Sequence, residues 1–376
     1  MLERIKHMLI KEFIQIFRDP RMKGVIFVVP IIQTLVFGYA VTTDVKYIPT
    51  AVYDRDNSRA SRELLSRFAG SRYFNIVEYV YSEARVTELL DRGEVGAVIH
   101  MGEDFGDELR AGRTAQLQVI VDGTDSNTAG KVLNYASEIV AGFSEEVLVT
   151  RYAQTKGTAQ NPSRIEMQTW PWFNENLESR NFYVPGVIAI LLMLITLMLT
   201  SMAVVREKEI GTIEQIMVTP ITSTEFILGK TVPFGLIGIA DVVLISLVGV
   251  FWFDIPIRGS ILLLFVSTGF YLMTTLGVGL LISTVSQTQQ QAMMSTFFFY
   301  FPAVLLSGFM FPIANMPRII QWVTYINPLR YFLVIVRGIF LKGVGPAVLW
   351  PQMAALIVLG MLTLWMASRR FQKTLG

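Results

Sequence analysis

The chain has 376 residues, of which 52% are hydrophobic and only 16% charged. A soluble domain carries roughly a quarter charged residues, so an entirely soluble protein is excluded. The absence of cysteine excludes disulfides, thiolate metal sites and cysteine nucleophiles, and a net charge of +2 gives no reason to expect nucleic acid as a partner.

The charge is unevenly spread. Residues 43–181 hold 21 acidic and 15 basic residues, whereas the remainder is hydrophobic with a basic surplus. That split predicts a soluble domain inserted into a membrane protein. The expected fold class is mainly α: six transmembrane helices, an inserted extracytoplasmic α/β domain and an N-terminal interfacial amphipathic helix.

Within residues 1–22, Leu2, Ile5, Leu9, Phe13, Ile16 and Phe17 recur at helical steps, with Arg4, Lys6, Lys11 and Arg18 off the stripe. This is the pattern of a helix lying in the membrane interface. It leads into the first hydrophobic run without the short basic leader of a cleavable signal. A hydrocarbon core about 30 Å thick needs roughly 20 apolar residues per helix. Six stretches qualify: 23–42, 183–205, 229–253, 259–283, 292–312 and 347–367. Pro30 and Pro302 fall inside two of them as expected kinks. The region 182–376 thus reads as five helices. Its segment 313–346, interrupted by Pro317, Asn327, Pro328, Gly338 and Gly343, reads as an outer re-entrant piece of two short helices.

Between the first two spans, Ala51–Asp54, Ile76–Val80, Gly96–Met101 and Leu117–Asp122 have strand composition. Ser58–Phe68, Ser82–Arg92 and about 126–152 have helical patterning. The domain 43–181 is therefore expected to be α/β, followed by an aromatic belt at Trp170, Trp172 and Phe173. With the N-terminus inside, the short inner segments carry twelve Lys and Arg and the short outer ones five. This bias puts both termini in the cytoplasm.

Gly229-Lys230-Thr231 is the tail of a phosphate loop without its head, because Thr224 stands where the first glycine is required. With no HExxH or GxSxG run either, no catalytic machinery is expected in the chain. Arg206 to Pro220 forms an amphipathic stretch with Ile210, Ile213, Ile216 and Met217 on one face, stopped by Pro220. Periodicity alone allows either a plain interfacial connector or a docking helix.

This stretch resembles the RE-x-E-x-G-T-x-E-x-x-x-x-T-P segment of type-two ABC exporter permeases, through Arg206, Glu207, Glu209, Gly211, Thr212, Glu214, Thr219 and Pro220. Leu306-Ser-Gly-Phe-Met-Phe-Pro312, Met316-Pro317, Asn327-Pro-Leu-Arg-Tyr-Phe332 and Arg337-Gly338 resemble the same family in the same order. The resemblance implies a permease subunit of an exporter in the bacterial inner membrane, paired with itself or a related permease. ATP and Mg would be bound by separate ATP-binding subunits. Residues 206–220 would be the coupling helix, with Glu207, Glu209, Gly211, Thr212, Glu214, Met217 and Pro220 carrying the contact. Gly211 would permit close backbone approach.

The resemblance also places the second and fifth spans on a dimer axis. There Met193, Thr196 and Thr200, and Phe297, Phe298 and Tyr300, either line the pathway or serve ordinary packing. Asp241, alone among acidic residues deep in a span, is a functional carboxylate or a structural hydrogen-bond partner. Arg330 and Arg337 gate the outer exit or bind lipid headgroups. A lipophilic drug or lipid substrate and a periplasmic adaptor protein on the exterior domain complete the expectation. An ATP-independent secondary transporter, or a membrane-anchored sensor or scaffold, are the alternatives.

Overall fold

The computed structural model describes residues 2–40, 46–156, 173, 178–211 and 222–375. The chain divides into two compact units, Thr43–Thr169 and a helical unit comprising Met1–Thr42 with Trp170–Gly376.

The smaller unit is α/β. Its strands β1 (Ile48–Asp54), β2 (Phe74–Tyr79), β3 (Ala97–Met101) and β4 (Leu117–Val121) form one sheet in the order β2-β1-β3-β4. The first three are parallel and β4 returns antiparallel to β3. Parallel strands need crossover helices. These are α4 (Arg59–Gly70) between β1 and β2, and α5 (Glu83–Asp91) between β2 and β3. Ser58 and Ser82 start the two helices by accepting hydrogen bonds from the amides of Ser61 and Arg85. The central strands β1 and β3 are buried on both faces. Val52, Leu64, Phe68, Phe74, Ile99 and Phe143 fill one side, and Ala51, Val86, Leu89 and Val98 the other. A short helix α6 (Phe105–Ala111) and the long α7 (Ser126–Lys156) complete the unit.

In the helical unit, α1 (Leu2–Arg18) and the single turn α2 (Pro20–Lys23) precede a π-helical turn at Gly24–Val28 and α3 (Val29–Ala40). Helices α8 (Ser179–Ile210), α9 (Ser223–Phe253), α10 (Ile261–Val285) and α11 (Gln289–Leu305) follow. Then come α12 (Arg318–Val323), α13 (Pro328–Arg337), a π-helical turn at Gly338–Lys342 and α14 (Pro346–Leu375). Among the described residues, four helices are long and apolar enough to cross a membrane. A fifth is reached if Arg318–Ile326 and Pro328–Lys342, bent by 83°, count as one. Among the described residues, two of the six expected stretches form shorter helices. Residues 24–39 form only a short apolar helix. The run expected to reach residue 312 stops at Leu305, beyond which Gly308 takes a left-handed φ of 84° and turns the chain.

Helix α8 is the centre of this unit, packed against α3, α9, α10, α11 and α13. It is apolar on all sides, as a helix enclosed by others must be. Small residues bring its neighbours close. A Cβ at Gly279 of α10 would lie 2.9 Å from Thr200 Cβ, and one at Gly238 of α9 would lie 2.7 Å from Leu272. Buried polar groups lock the same contacts. Tyr271 Oη donates to the Ala189 carbonyl at 3.1 Å, and the Ser201 and Thr296 hydroxyls meet at 3.0 Å. Asn327 caps α13 and donates to the Ala303 carbonyl at 2.7 Å, tying the bent segment to α11.

Candidate coupling site

The hydrophobic run of α8 ends at Val205, yet the helix continues for about one and a half more turns to Ile210. Residues 206–210 therefore continue the same helix, and residues 212–220 of the expected coupling segment lie outside the described residues. The cause is local. Glu207, Lys208 and Glu209 are good helix formers, and the first breaker is Gly211, a left-handed cap with φ 77° whose amide donates to the Lys208 carbonyl. Among the described residues, no atom lies within 4 Å of the position a Gly211 Cβ would take. The left-handed φ is a conformation that favours glycine at this position.

The three charged residues of this turn point to different helices. Glu207, 5% exposed, accepts a hydrogen bond from Lys230 Nζ of α9 at 2.8 Å. Lys230 also donates to Glu12 of α1 at 2.6 Å, and Lys11 of α1 reaches Glu207 at 3.0 Å. Lys230 is 1% exposed and Glu12 3%. A buried ammonium held between two carboxylates has its desolvation offset by two charge-assisted hydrogen bonds. The helices meet closely at this point. A Cβ at Gly229 would fall 2.9 Å from Met8 Cε of α1, so the absence of a side chain lets α1 lie against α9.

Lys208 Nζ donates to the Ser283 carbonyl at 2.8 Å, at the end of α10, where a cation complements the helix dipole. Glu209 accepts from the backbone amide of Gln289 at 2.8 Å, at the start of α11, and also from its side-chain amide. A carboxylate there satisfies an orphan N–H and complements the dipole of the opposite sign. Three consecutive residues thus fasten α8 to α1, α9, α10 and α11. Ile210 lies at the tip, 63% exposed. Thr212, Glu214, Met217 and Pro220 lie outside the described residues, as do Trp170 and Trp172. The chain resumes at Thr222, which starts α9 through a capping box with Glu225.

The remaining sequence-derived candidates are dispersed. Met193, Thr196 and Thr200 are buried within the chain's own packing, where Thr196 Oγ1 contacts Thr275 Oγ1 at 3.0 Å and Thr200 abuts Gly279. On α11, Phe298 is 85% exposed, Tyr300 is buried and Phe297 packs at the edge of the core. Asp241 is 1% exposed, and neither of its carboxylate oxygens has a hydrogen-bond partner among the described residues. Arg337 lies 3.6 Å over the Phe182 ring and donates to the Phe182 and Gly308 carbonyls. Arg330 donates to Thr324 Oγ1 and lies 4.2 Å over Tyr325. Both guanidinium groups are thus engaged by protein.

Residues 24–369 match the family model described as ABC-2 family transporter protein. This chain belongs to that family. The Escherichia coli K12 protein named probable multidrug ABC transporter permease YbhR is 33% identical over 359 residues, covering 96% of this chain and 95% of its own. The corresponding YbhS protein is 33% identical over 374 residues, covering 98% and 97%. Inner membrane transport permease YhhJ of the same organism is 28% identical over 335 residues, covering 87% and 86%. As an ABC-2 permease, the chain is the membrane subunit of an ABC exporter, and ATP is hydrolysed on separate subunits.

Two members of the charged cluster escaped the sequence reading. Lys230 reads in the sequence as the lysine of an incomplete phosphate loop and as one of the inner basic residues, and Glu12 carries no expectation there. Their partners lie 23 and 218 residues away, beyond any local pattern. The one available signal is Lys230 itself, a cation at the edge of a hydrophobic stretch, where charge must be paired or exposed.

Proposed function

We propose that the Arg206–Gly211 end of this ABC-2 permease, together with the segment up to Pro220, is the part that receives the ATP-binding subunits. The observation that carries this reading is the Glu207–Lys208–Glu209 fastening. A displacement applied at Ile210 reaches α1, α9, α10 and α11 through hydrogen-bonded contacts within one helical turn. On this reading Glu207 acts inward as a positioning residue. Ile210, Glu214 and Met217 act outward, Gly211 sets the turn, and Thr212 and Pro220 bound the docking segment. ATP and Mg bind on the partner subunits, and closure of those subunits moves the fastened helices as one body.

The topology proposed with it has six crossings, with the 24–39 helix and α11 as the two short ones. At 17 residues α11 is about 26 Å long, close to the thickness of the hydrocarbon core. The Lys and Arg bias then places both termini in the cytoplasm, the α/β unit outside, and the chain in a bacterial inner membrane. The working unit is a dimer of identical or related permeases. The exported substrate is a lipophilic drug or lipid, supported by the multidrug names of the relatives. A periplasmic adaptor would meet the α/β unit. The outer bend at 313–346, with Arg330 and Arg337, stands nearest the exit. The pathway residues are those of α8 and α11, with Asp241 beside them on α9.

The test is a mild-detergent pull-down of the tagged chain from its native membranes, with mass spectrometry and an ATPase assay. A near-stoichiometric ATP-binding subunit, lost on Ile210→Glu, supports the reading. Recovery of the chain without any ATP-binding subunit under several gentle conditions contradicts it.

A further inference from the structure

A cavity of about 180 Å³ lies beside the buried ion pairs, between α1, α8 and α9. Met198, Leu199, Met202 and Phe234 form its apolar wall, and Gln15 and Arg206 stand among its polar residues. On α8 the lining residues 198, 199, 202, 203 and 206 recur at helical steps, a stripe about 12 Å long that runs from apolar to cationic. Lys230 also faces the cavity, but its charge is taken up by Glu12 and Glu207. Arg206 is different. It is half-buried, and among the described residues its guanidinium has no hydrogen bond or ion pair. Gln15 likewise has no partner there. Of the charged residues that line the cavity, Arg206 and Lys230 stand against Glu12.

A guanidinium without a partner among the described residues, at the end of an apolar slot, is complementary to a molecule with an apolar tail and an anionic head. The size narrows the class. Pockets for drug-sized molecules measure about 300–1,000 Å³, so this one takes a chain segment and not a whole drug. A guanidinium matches a phosphate in bidentate geometry, and α1 carries the pattern of a helix that lies in the membrane interface. We propose that this cavity binds an anionic phospholipid, with part of one acyl chain between α1 and α8 and the phosphate on Arg206. The bound lipid fills the space beside the Glu12–Lys230–Glu207 cluster and holds α1 against α8. Occupancy of the site then makes the rigidity of this end of the permease depend on the anionic lipid content of the membrane. The inference requires the membrane placement of α8 but not any particular docking partner, so it stands or falls separately from the coupling role.

The experiment is native mass spectrometry of the purified full-length chain, titrated with phosphatidylglycerol and phosphatidylcholine of matched acyl chains. The wild type is expected to bind phosphatidylglycerol about tenfold more tightly, the factor one charge-assisted contact of about 1.4 kcal/mol provides. Arg206→Gln should reduce phosphatidylglycerol to the phosphatidylcholine level, and Arg206→Lys should keep part of the preference. Ala203→Leu, which fills the slot and leaves the guanidinium in place, should weaken both lipids. Equal binding of the two lipids by the wild type, or a preference that survives Arg206→Gln, overturns the proposal. If Arg206→Gln yields no folded chain, Ala203→Leu decides, and undiminished phosphatidylglycerol binding by that variant overturns it.

Discussion

Lys230 is one of the largest side chains fully enclosed in the protein, and its ammonium has a carboxylate on each side. Its removal leaves two buried carboxylates facing each other through lost hydrogen bonds. Breaking a buried pair by deleting one partner typically costs about 3–5 kcal/mol. Lys230→Met is therefore expected to lower the midpoint of unfolding of the purified chain in a denaturing-detergent titration, by an amount in that range. A midpoint within error of wild type would mean that the cluster does not hold α1 in place. In the α/β unit, Arg85 makes a two-point contact with Glu78 of β2 and reaches Glu88 of α5, each at 3.0 Å. Its hydrogen bonds hold both carboxyls below their ordinary value of 4.5. Because the folded values are depressed, the stability they add is complete above pH 4.5 and is lost as pH falls through the folded values. Protection of β2 amides, corrected for intrinsic exchange, should drop below that pH in the wild type and show a flatter dependence in Arg85→Gln. All three groups are only partly buried, and solvent screening keeps the effect small.

At the scale of elements, the contact between α8 and α10 rests on the absence of a side chain. Gly279→Leu places atoms where Thr200 already lies and must push the helices apart. Overpacking of a close contact costs about 1–3 kcal/mol. The expected result is a lower melting temperature of the detergent-purified chain, relieved in part by Thr200→Ala. The same scale shows what the sequence made legible. The four strands and the helices α4, α5 and α7 were found within a few residues of their ends, because period-two and period-3.6 patterns are local properties of the chain. Helix α6, with seven residues, is too short to display a period. The continuation of α8 past Val205 is not visible in hydropathy, which falls at Arg206 while helix propensity does not. Burial of Glu207 could not be read at all, since it depends on α1 folding back onto α9.

At the scale of the molecule, the two units have different origins of order. The α/β unit has two apolar layers on one sheet, the ordinary arrangement of a domain that excludes water. The helical unit cannot use water exclusion between its apolar faces in a membrane, and relies on close packing at small residues and on buried hydrogen bonds between helices. At the Arg206–Gly211 turn, the charged side chains of one helix reach four others.

The measurement that tests this most directly uses the fact that the chain has no cysteine. Ile210→Cys is labelled with a photoreactive maleimide in membranes containing the ATP-binding subunits, alongside Glu103→Cys in the α/β unit. The account predicts an ultraviolet-induced adduct between the permease and an ATP-binding subunit from position 210 and none from position 103. The adduct yield should change when ATP is bound. No adduct from position 210, or equal adducts from both positions, would contradict it.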